Sequence, residues 1–335
     1  MNWGEAESII GRQAPDDYIL SLDTHERLYR ETAPDLVWLI ALAGLRSEAE
    51  TYTRFDGQAN RARSTYMRWM LTTNLGTFLT SVLSAGAMAW GLLGIKHDAL
   101  TQGLLGHGAL GLTVAATVSA AVASAGLLML RQGRLLENWM RKRATAETHR
   151  VGYFEGLLKR ASETSQDATL LALEYFRRYQ FEVQKNYFFH RARDHEASAN
   201  KTVLVGAIGA FVATFSNLAG AFSGQGVHAT GAISVLGAAL GAYAIGREQM
   251  TQDRRNAERY DRTYSALVAL AGLLDEVREA VSKGNLGLAR DFAAAVDEQV
   301  TNEHRQWLEA TEAAKAALIR IEDALRSTGD KEAAT

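Results

Sequence analysis

The sequence predicts an all-α membrane protein made of two tandem transmembrane helical hairpins that continue into long cytoplasmic helices. Three observations carry this. Charged side chains are segregated: Trp69 to Leu130 holds only Lys96 and Asp98, and Thr202 to Gly246 holds no Asp, Glu, Lys or Arg. Four of the charge-poor stretches approach the ~20 apolar residues a helix needs to cross hydrocarbon at about 1.5 Å per residue. The chain also echoes itself, with "NRAR" at 60 and "HRAR" at 190 each leading into such a stretch, and Gly76 and Gly206 separated by the same interval.

The elements follow in order. Residues 1–34 form an N-terminal segment whose opening "MNWGEAESII" has acids where a secretory signal carries a basic region, so no cleaved signal is expected. A first two-span repeat covers 35–163. It begins with "LVWLIALAGL" at 36–45, too short to span and suited to a core-facing or interfacial helix. Its spans run about 71–94 and 104–130, joined by the short link "IKHDALTQG". A second repeat, 164–284, has spans at about 203–222 and 231–245, joined by "SGQGVHATG", the last span being the shortest. Links this short join antiparallel neighbours.

Between and after the spans the charged segments read as helices. "AETHRVGY" (146–153) and "AERYDRTY" (257–264) share Ala, Glu and a final Tyr, and proline occurs only at 15 and 34, so nothing interrupts these helices later. Continuing straight from the spans, about 30 residues would reach ~45 Å into the cytoplasm. Gly284-Asn285 ends the fourth long helix. A C-terminal amphipathic helix at 285–326 and a disordered tail at 327–335 complete the chain.

Basic residues set the orientation. Arg61, Arg63 and Arg68 precede the first hairpin, and Arg131, Arg134 and Arg141 follow it, against Lys96 alone at its tip. Arg191 and Arg193 precede the second hairpin; Arg247, Arg254 and Arg255 follow it, with no Lys or Arg in its link. Both tips therefore face outward and both termini lie in the cytoplasm, a multi-pass topology. A soluble bundle with buried Ala- and Gly-rich helices would suit the mean hydropathy of −0.13. It fits poorly with a 45-residue stretch lacking acids and bases, because any water-facing helix surface needs some.

Residues 165–310 resemble the SLATT family, two-helix membrane effectors associated with bacterial nucleotide second-messenger systems. The likeness rests on Tyr187 and Ala192 ahead of the third span, on Ala257, Glu258 and Tyr264 behind the fourth, and on the terminal Glu303 and Trp307. The first half looks like a more divergent copy, its lead-in "AETYTRFDGQANRARSTY" departing from the pattern. The resemblance implies an effector of antiphage defence that oligomerises and forms or gates a pore in the inner membrane, killing or arresting the infected cell. It implies sensing by a protein or nucleotide system encoded nearby.

The spans themselves carry hydroxyl stripes. Thr73, Thr77, Ser81 and Ser84 recur at three- or four-residue intervals on the first span; Thr113, Thr117 and Ser124 make a similar stripe on the second; Thr214 and Asn217 lie on the third. Such groups line a pore or hydrogen-bond between packed helices. Small residues offer interfaces: Gly237 and Gly241 form a GxxxG, with Gly206, Ala210 and Gly220 extending the theme, between subunits or inside a hairpin. Four helices enclose too little water for a channel, so a pore requires a homo-oligomer embedded in lipid.

Other function classes find little support. Net charge is −2, unlike the strongly basic balance of a nucleic-acid-binding surface, and no nucleic acid is expected. With no cysteine there is neither a disulfide framework nor a thiol nucleophile. "GHGALG" at 106–111 matches a dinucleotide pattern but follows no strand, and His190 and His195 are spaced for different helix faces. No catalytic residue, cofactor or metal is expected. The alternative function is a passive membrane anchor or scaffold whose cytoplasmic helices recruit a soluble partner. Nucleotide binding among the arginines at 131–143 and 247–262 ranks behind both, since such residues usually fix topology or touch anionic lipid.

Overall fold

The computed structural model describes residues 1–94, 99–223 and 227–302, with no description of the side chains of 91–106, 221–229 and 250. The expected links around Lys96 and Asp98 and at 224–226, the C-terminal helix beyond 302, including Glu303 and Trp307, and the tail at 327–335 lie wholly or partly outside those residues. Every regular element among the described residues is helical. In chain order they are α1 (Trp3–Ile10), α2 (Leu22–Tyr29), α3 (Pro34–Ile40), α4 (Ala43–Gly94), α5 (Ala99–Gln132) and α6 (Leu135–Thr164). Then come α7 (Gln166–Phe176), a π-helical turn at Arg177–Phe181, α8 (Glu182–Ser223), α9 (Val227–Thr251), α10 (Asp253–Ala271) and α11 (Leu274–Ser282). The chain is helical again over 287–302.

The chain forms two compact units. The first comprises Met1–Thr53, Glu147–His190 and, among described residues, 259–302; the second comprises Arg54–Ala146 and Arg191–Glu258.

At the centre of the first unit is α7. Residues 168–176, "ATLLALEYF", are all buried, the pattern of a helix surrounded on every side. Ser165 caps it, its hydroxyl accepting from the Ala168 amide at 3.0 Å. Around it lie Tyr153, Phe154, Leu157 and Leu158 of α6, Leu36, Leu39 and Ile40 of α3, and Phe292 and Val296 of the last described helix, all buried. The segment expected to be core-facing at 36–45 is thus α3 and the first turn of α4. Asn2 starts α1 with a capping box, accepting from the Glu5 amide at 2.9 Å while the Glu5 carboxylate accepts from the Asn2 amide at 3.0 Å.

The second unit is built from two helix pairs. Gly76 of α4 meets α5 so closely that an added Cβ would lie 3.0 Å from Ala123 Cβ, and one on Gly126 would lie 2.4 Å from Thr73 Oγ1. In the other pair, a Cβ on Gly209 of α8 would lie 2.7 Å from both the Gly237 carbonyl oxygen and the Gly241 nitrogen of α9. Phe78 of α4 packs on Tyr243 of α9, ring centroids 5.3 Å apart.

The helix is continuous between charged segment and apolar stretch in α4 and α8 but is broken after the apolar stretch in α5 and α9. The helix breaks at Arg134, φ 44°, and at Gln252, φ 49°, both in the left-handed region that costs a residue with a Cβ about 1 kcal/mol. At the first break Gly133 still donates to Met129 O at 3.0 Å, and Arg134 O already accepts from Asn138, so one residue redirects the chain. The fourth long helix is also interrupted earlier than expected. It ends at Ala271, before α11, whose own end is closed by Gly284 at φ 96°.

Candidate functional site

Two helical stretches are long and apolar enough to cross a membrane: 107–132, and the continuous run 166–220, whose charge-free part begins at Thr202. In each, only 17% of the most apolar window is buried within the chain. A core helix of a soluble protein buries most of that surface, whereas these stretches leave most of theirs exposed among the described residues. Among the described residues the other two expected spans, 71–94 and 231–245, do not reach the same length and hydropathy; each adjoins residues whose side chains are not described.

The exposed apolar residues form stripes at helical spacing. Leu71, Leu75 and Leu79 share a face of α4, Leu110, Val114, Val118 and Val122 a face of α5. On α8 the stripe is Leu204, Ile208, Phe211, Phe215 and Leu218, with Phe211 and Phe215 stacked at 5.8 Å and 68% and 61% exposed. Large aromatic faces left this open have no solvent-compatible role in an isolated chain.

The hydroxyl stripes divide into two groups. Thr77, Ser84, Thr113, Thr117, Ser124, Thr214 and Asn217 are exposed, Ser81 is half-buried, and Thr73 is buried against Gly126. Most of the hydroxyl donors are occupied. Thr73, Thr77 and Ser81 donate to Trp69, Thr73 and Thr77 carbonyls at 2.9, 2.9 and 3.2 Å, and Thr113 and Thr117 donate to Ala109 and Thr113 carbonyls at 2.9 Å each. These bonds satisfy the protons within the helix and leave the oxygen lone pairs facing outward.

The small residues sort differently from the GxxxG reading. Gly237 packs inside its pair, where a Cβ would stand 2.5 Å from Ala213 N, while a Cβ on Gly241 meets nothing within 4 Å. Gly206 sits in ordinary contact with Ala244, Gly220 lies against Thr230, and Ala210 is exposed. Gly209, Gly237's partner, was not among the residues singled out; only its place one turn after Gly206 hinted at it.

The flanking cations lie at the ends of the apolar stretches. Arg61, Arg68, Arg131, Arg134, Arg141, Arg193, Arg254 and Arg255 are exposed. Arg63 lies over the Trp139 ring at 6.0 Å, and Trp139 packs on Tyr66 at 5.8 Å. Arg191 faces Asp194 at 3.8 Å. Arg247 donates to Ser198 Oγ at 2.8 Å, joining a knot the sequence did not reveal: Ser198 Oγ donates to Asp253 Oδ2 at 2.7 Å, and His195 Nδ1 pairs with Asp253 Oδ1 at 2.6 Å. Burial would raise the Asp253 carboxyl, but the bonds from His195, Ser198 and Thr251 hold it below its ordinary value. Asp253 opens α10 directly after the break at Gln252, where a carboxylate also complements the helix dipole.

In the first unit, buried charge fastens the N-terminal segment. Glu174, fully buried, receives Arg177 Nε at 2.5 Å and Arg278 Nε and Nη2 at 2.6 and 2.9 Å. Arg177 and Arg178, in the π-helical turn, donate to the Gly11 and Ile10 carbonyls at 2.8 and 2.5 Å, closing the C-terminal end of α1, and Arg178 pairs with Asp17 at 2.7 Å. His25 bonds to Tyr175 at 2.6 Å, and burial pushes its pKa down to about 4. Arg150, 3% exposed, reaches Gln180 at 2.5 Å, Tyr52 at 2.6 Å and the Tyr179 carbonyl at 2.8 Å. Gln180 in turn donates to Asp297 Oδ1 at 3.2 Å, Asp297 Oδ2 has no hydrogen-bond partner among the described residues, and burial pushes the Asp297 carboxyl up to about 7.

The "GHGALG" stretch lies within α5, without the strand–turn–helix setting a dinucleotide loop needs. Residues 176–307 match the family model described as SMODS and SLOG-associating 2TM effector domain 1. The match starts at the π-helical turn and takes in α8, α9, α10 and α11, less than half of the chain. No curated protein and no solved structure matches the chain.

Proposed function

We propose that the SLATT domain at 176–307, together with the helix pair that precedes it, is the membrane effector of a bacterial antiphage defence system. The four apolar stretches stand in the inner membrane as two hairpins with both termini cytoplasmic, and several copies assemble to form or gate a pore that disrupts the membrane. The protein acts without catalysis, and its trigger comes from a sensor protein or nucleotide system encoded nearby. One observation carries the reading: the two apolar windows are 17% buried, so their stripes of Leu, Val and Phe lie open, and Thr113 and Thr117 are exposed on the first of them, as Thr77 is on α4. Aliphatic stripes suit lipid; hydroxyl oxygens with free lone pairs solvate passing cations without strong selection. The like placement of the breaks at Arg134 and Gln252, each closing the second helix of a pair, supports a common plan for the two halves.

A passive anchor is the second reading, favoured by the hydroxyl protons being held inside their own helices, an arrangement that asks for no water. Liposomes with trapped dye separate the two. With the full chain and its activating system present, the pore releases dye, and the Thr77→Leu/Thr117→Leu double variant changes the rate; an anchor releases none.

A further inference from the structure

Where α4 leaves its charged segment, a cleft of about 300 Å³ opens against the start of α6, lined by Gln58, Arg61, Thr65, Leu135, Asn138 and Lys142. Its walls are fixed at both ends. Next to Gln58 and Lys142, Asp56 of α4 pairs with Arg143 of α6 at 2.6 Å; next to Thr65 and Asn138, Tyr66 of α4 packs on Trp139 of α6. The carboxylate nearest the cleft in sequence on α4 is therefore already engaged, and Glu137 on α6 faces Arg134 at 3.9 Å. Arg61 makes one bond, Nε to its own Gly57 carbonyl at 3.3 Å, and neither Arg61 nor Lys142 has an ion-pair partner among the described residues. Gln58 and Asn138 add amide donors, and the first turn of α6, with its uncommitted backbone N–H groups, opens at Leu135.

Two unpaired cations and two amides around one cleft, at the first turn of a 30-residue helix, match the needs of a phosphate group: charge, several donors and a favourable dipole. Its level matters too. Tyr66, Trp69 and Trp139 are the aromatic residues that flank the charge-free stretches at this end, the residue types that settle at a headgroup layer. We infer that this cleft binds a phosphate-bearing anion, with the headgroup of an anionic phospholipid as its natural source. The lipid source rests on the membrane reading above; the phosphate chemistry does not. A bound headgroup would tie α4 to α6 directly across the break at Arg134, the point where the chain turns out of the apolar layer.

The test uses the full chain purified in neutral detergent and melted with phosphatidylglycerol, with phosphatidylcholine, or with inorganic pyrophosphate. Phosphatidylglycerol is expected to raise the melting temperature by several degrees over phosphatidylcholine, because a ligand of the folded state stabilises it by mass action. The Arg61→Gln/Lys142→Gln variant is expected to lose that shift, while Arg61→Lys/Lys142→Arg, which keeps both charges, retains most of it. An equal shift with pyrophosphate, also lost in the Gln variant, supports the site while assigning it a soluble source. A wild-type protein unmoved by both anions, or a Gln variant that responds as wild type does, overturns the proposal. Since the assay needs no bilayer, failure of the pore reading leaves its outcome unaffected.

Discussion

A Cβ placed on Gly237 would stand 2.6 Å from the carbonyl oxygen of Gly209, so α8 and α9 touch backbone to backbone. Contact at that range is open only to glycine, and it replaces side-chain interdigitation with dispersion between main chains. Gly241, the other half of the GxxxG, offers open space to a Cβ. Gly237→Ala is expected to separate the pair and lower thermal stability measurably, by roughly 1–3 kcal/mol for an overpacked contact. Gly241→Ala is expected to leave stability unchanged or raise it by up to about 1 kcal/mol, alanine being the better helix former. Melting of both variants in the same detergent checks this, and equal behaviour would place the crossing elsewhere.

Removing the Glu174 charge takes the most buried counter-ion from two guanidinium groups, leaving Arg177 with Glu182 at 3.0 Å and Arg278 with Asp275 at 2.8 Å and Glu7 at 3.2 Å. Arg177 and Arg278 are 3% and 7% exposed, so neither recovers hydration when Glu174→Gln takes away their shared counter-charge. Loss of one member of a buried ionic cluster costs at most ~3–5 kcal/mol, and less where other carboxylates remain, enough to loosen the N-terminal segment that Arg177 also holds. Glu163→Gln, at an exposed pair with Arg160, should change stability by well under 1 kcal/mol. Chemical denaturation of the two variants gives the comparison. Limited proteolysis within residues 1–42 should accelerate only in the first.

Two buried groups in the first unit give pH dependence of opposite sign. Asp297 has a folded pKa of about 7 against 3.8 when unfolded, so the folded state holds its proton more tightly. Its contribution is intact below pH 3.8 and is lost as pH rises toward 7. Asp297→Asn removes that loss, with a ceiling of roughly 4 kcal/mol before relaxation. The variant should be the more stable protein at pH 8, the gap closing as the pH approaches 4.

His25 runs the other way. Its folded pKa of about 4 lies below 6.5, so its contribution is intact above pH 6.5 and is lost as pH falls from 6.5 toward 4. His25→Gln should flatten the acid limb of a stability–pH curve between pH 6.5 and 4. A curve of unchanged shape would mean that His25 is not held neutral.

Much of the fold was legible because charge and length are properties of the sequence itself. The absence of acids and bases from Thr202 to Gly246 already placed α9 and the apolar part of α8, and ten apolar residues at 36–45 were correctly too few to span. The breaks at Arg134 and Gln252 were not legible, since neither is glycine or proline and the left-handed φ is imposed by packing. Arg177 and Arg178 looked like any cations on a charged helix. Their partners at Gly11, Ile10 and Asp17 are more than 160 residues away, and no local periodicity encodes such pairing. Asp297 hid for a related reason: one carboxyl on an amphipathic helix reads as solvated until Gln180 and Arg150 arrive from other helices. At the candidate site, the hydroxyl stripes were visible as spacing, whereas the use of their protons within the helix depends on rotamers.

The central claim is that the exposed apolar stripes lie in lipid, and alkaline extraction tests it most directly. Membranes from cells expressing the full chain are washed in carbonate at high pH, which strips proteins held by charge but not helices embedded in hydrocarbon. The protein is expected to stay in the pellet and to be released only by detergent. Recovery of the chain in the carbonate supernatant, or in the soluble fraction before any wash, would contradict it.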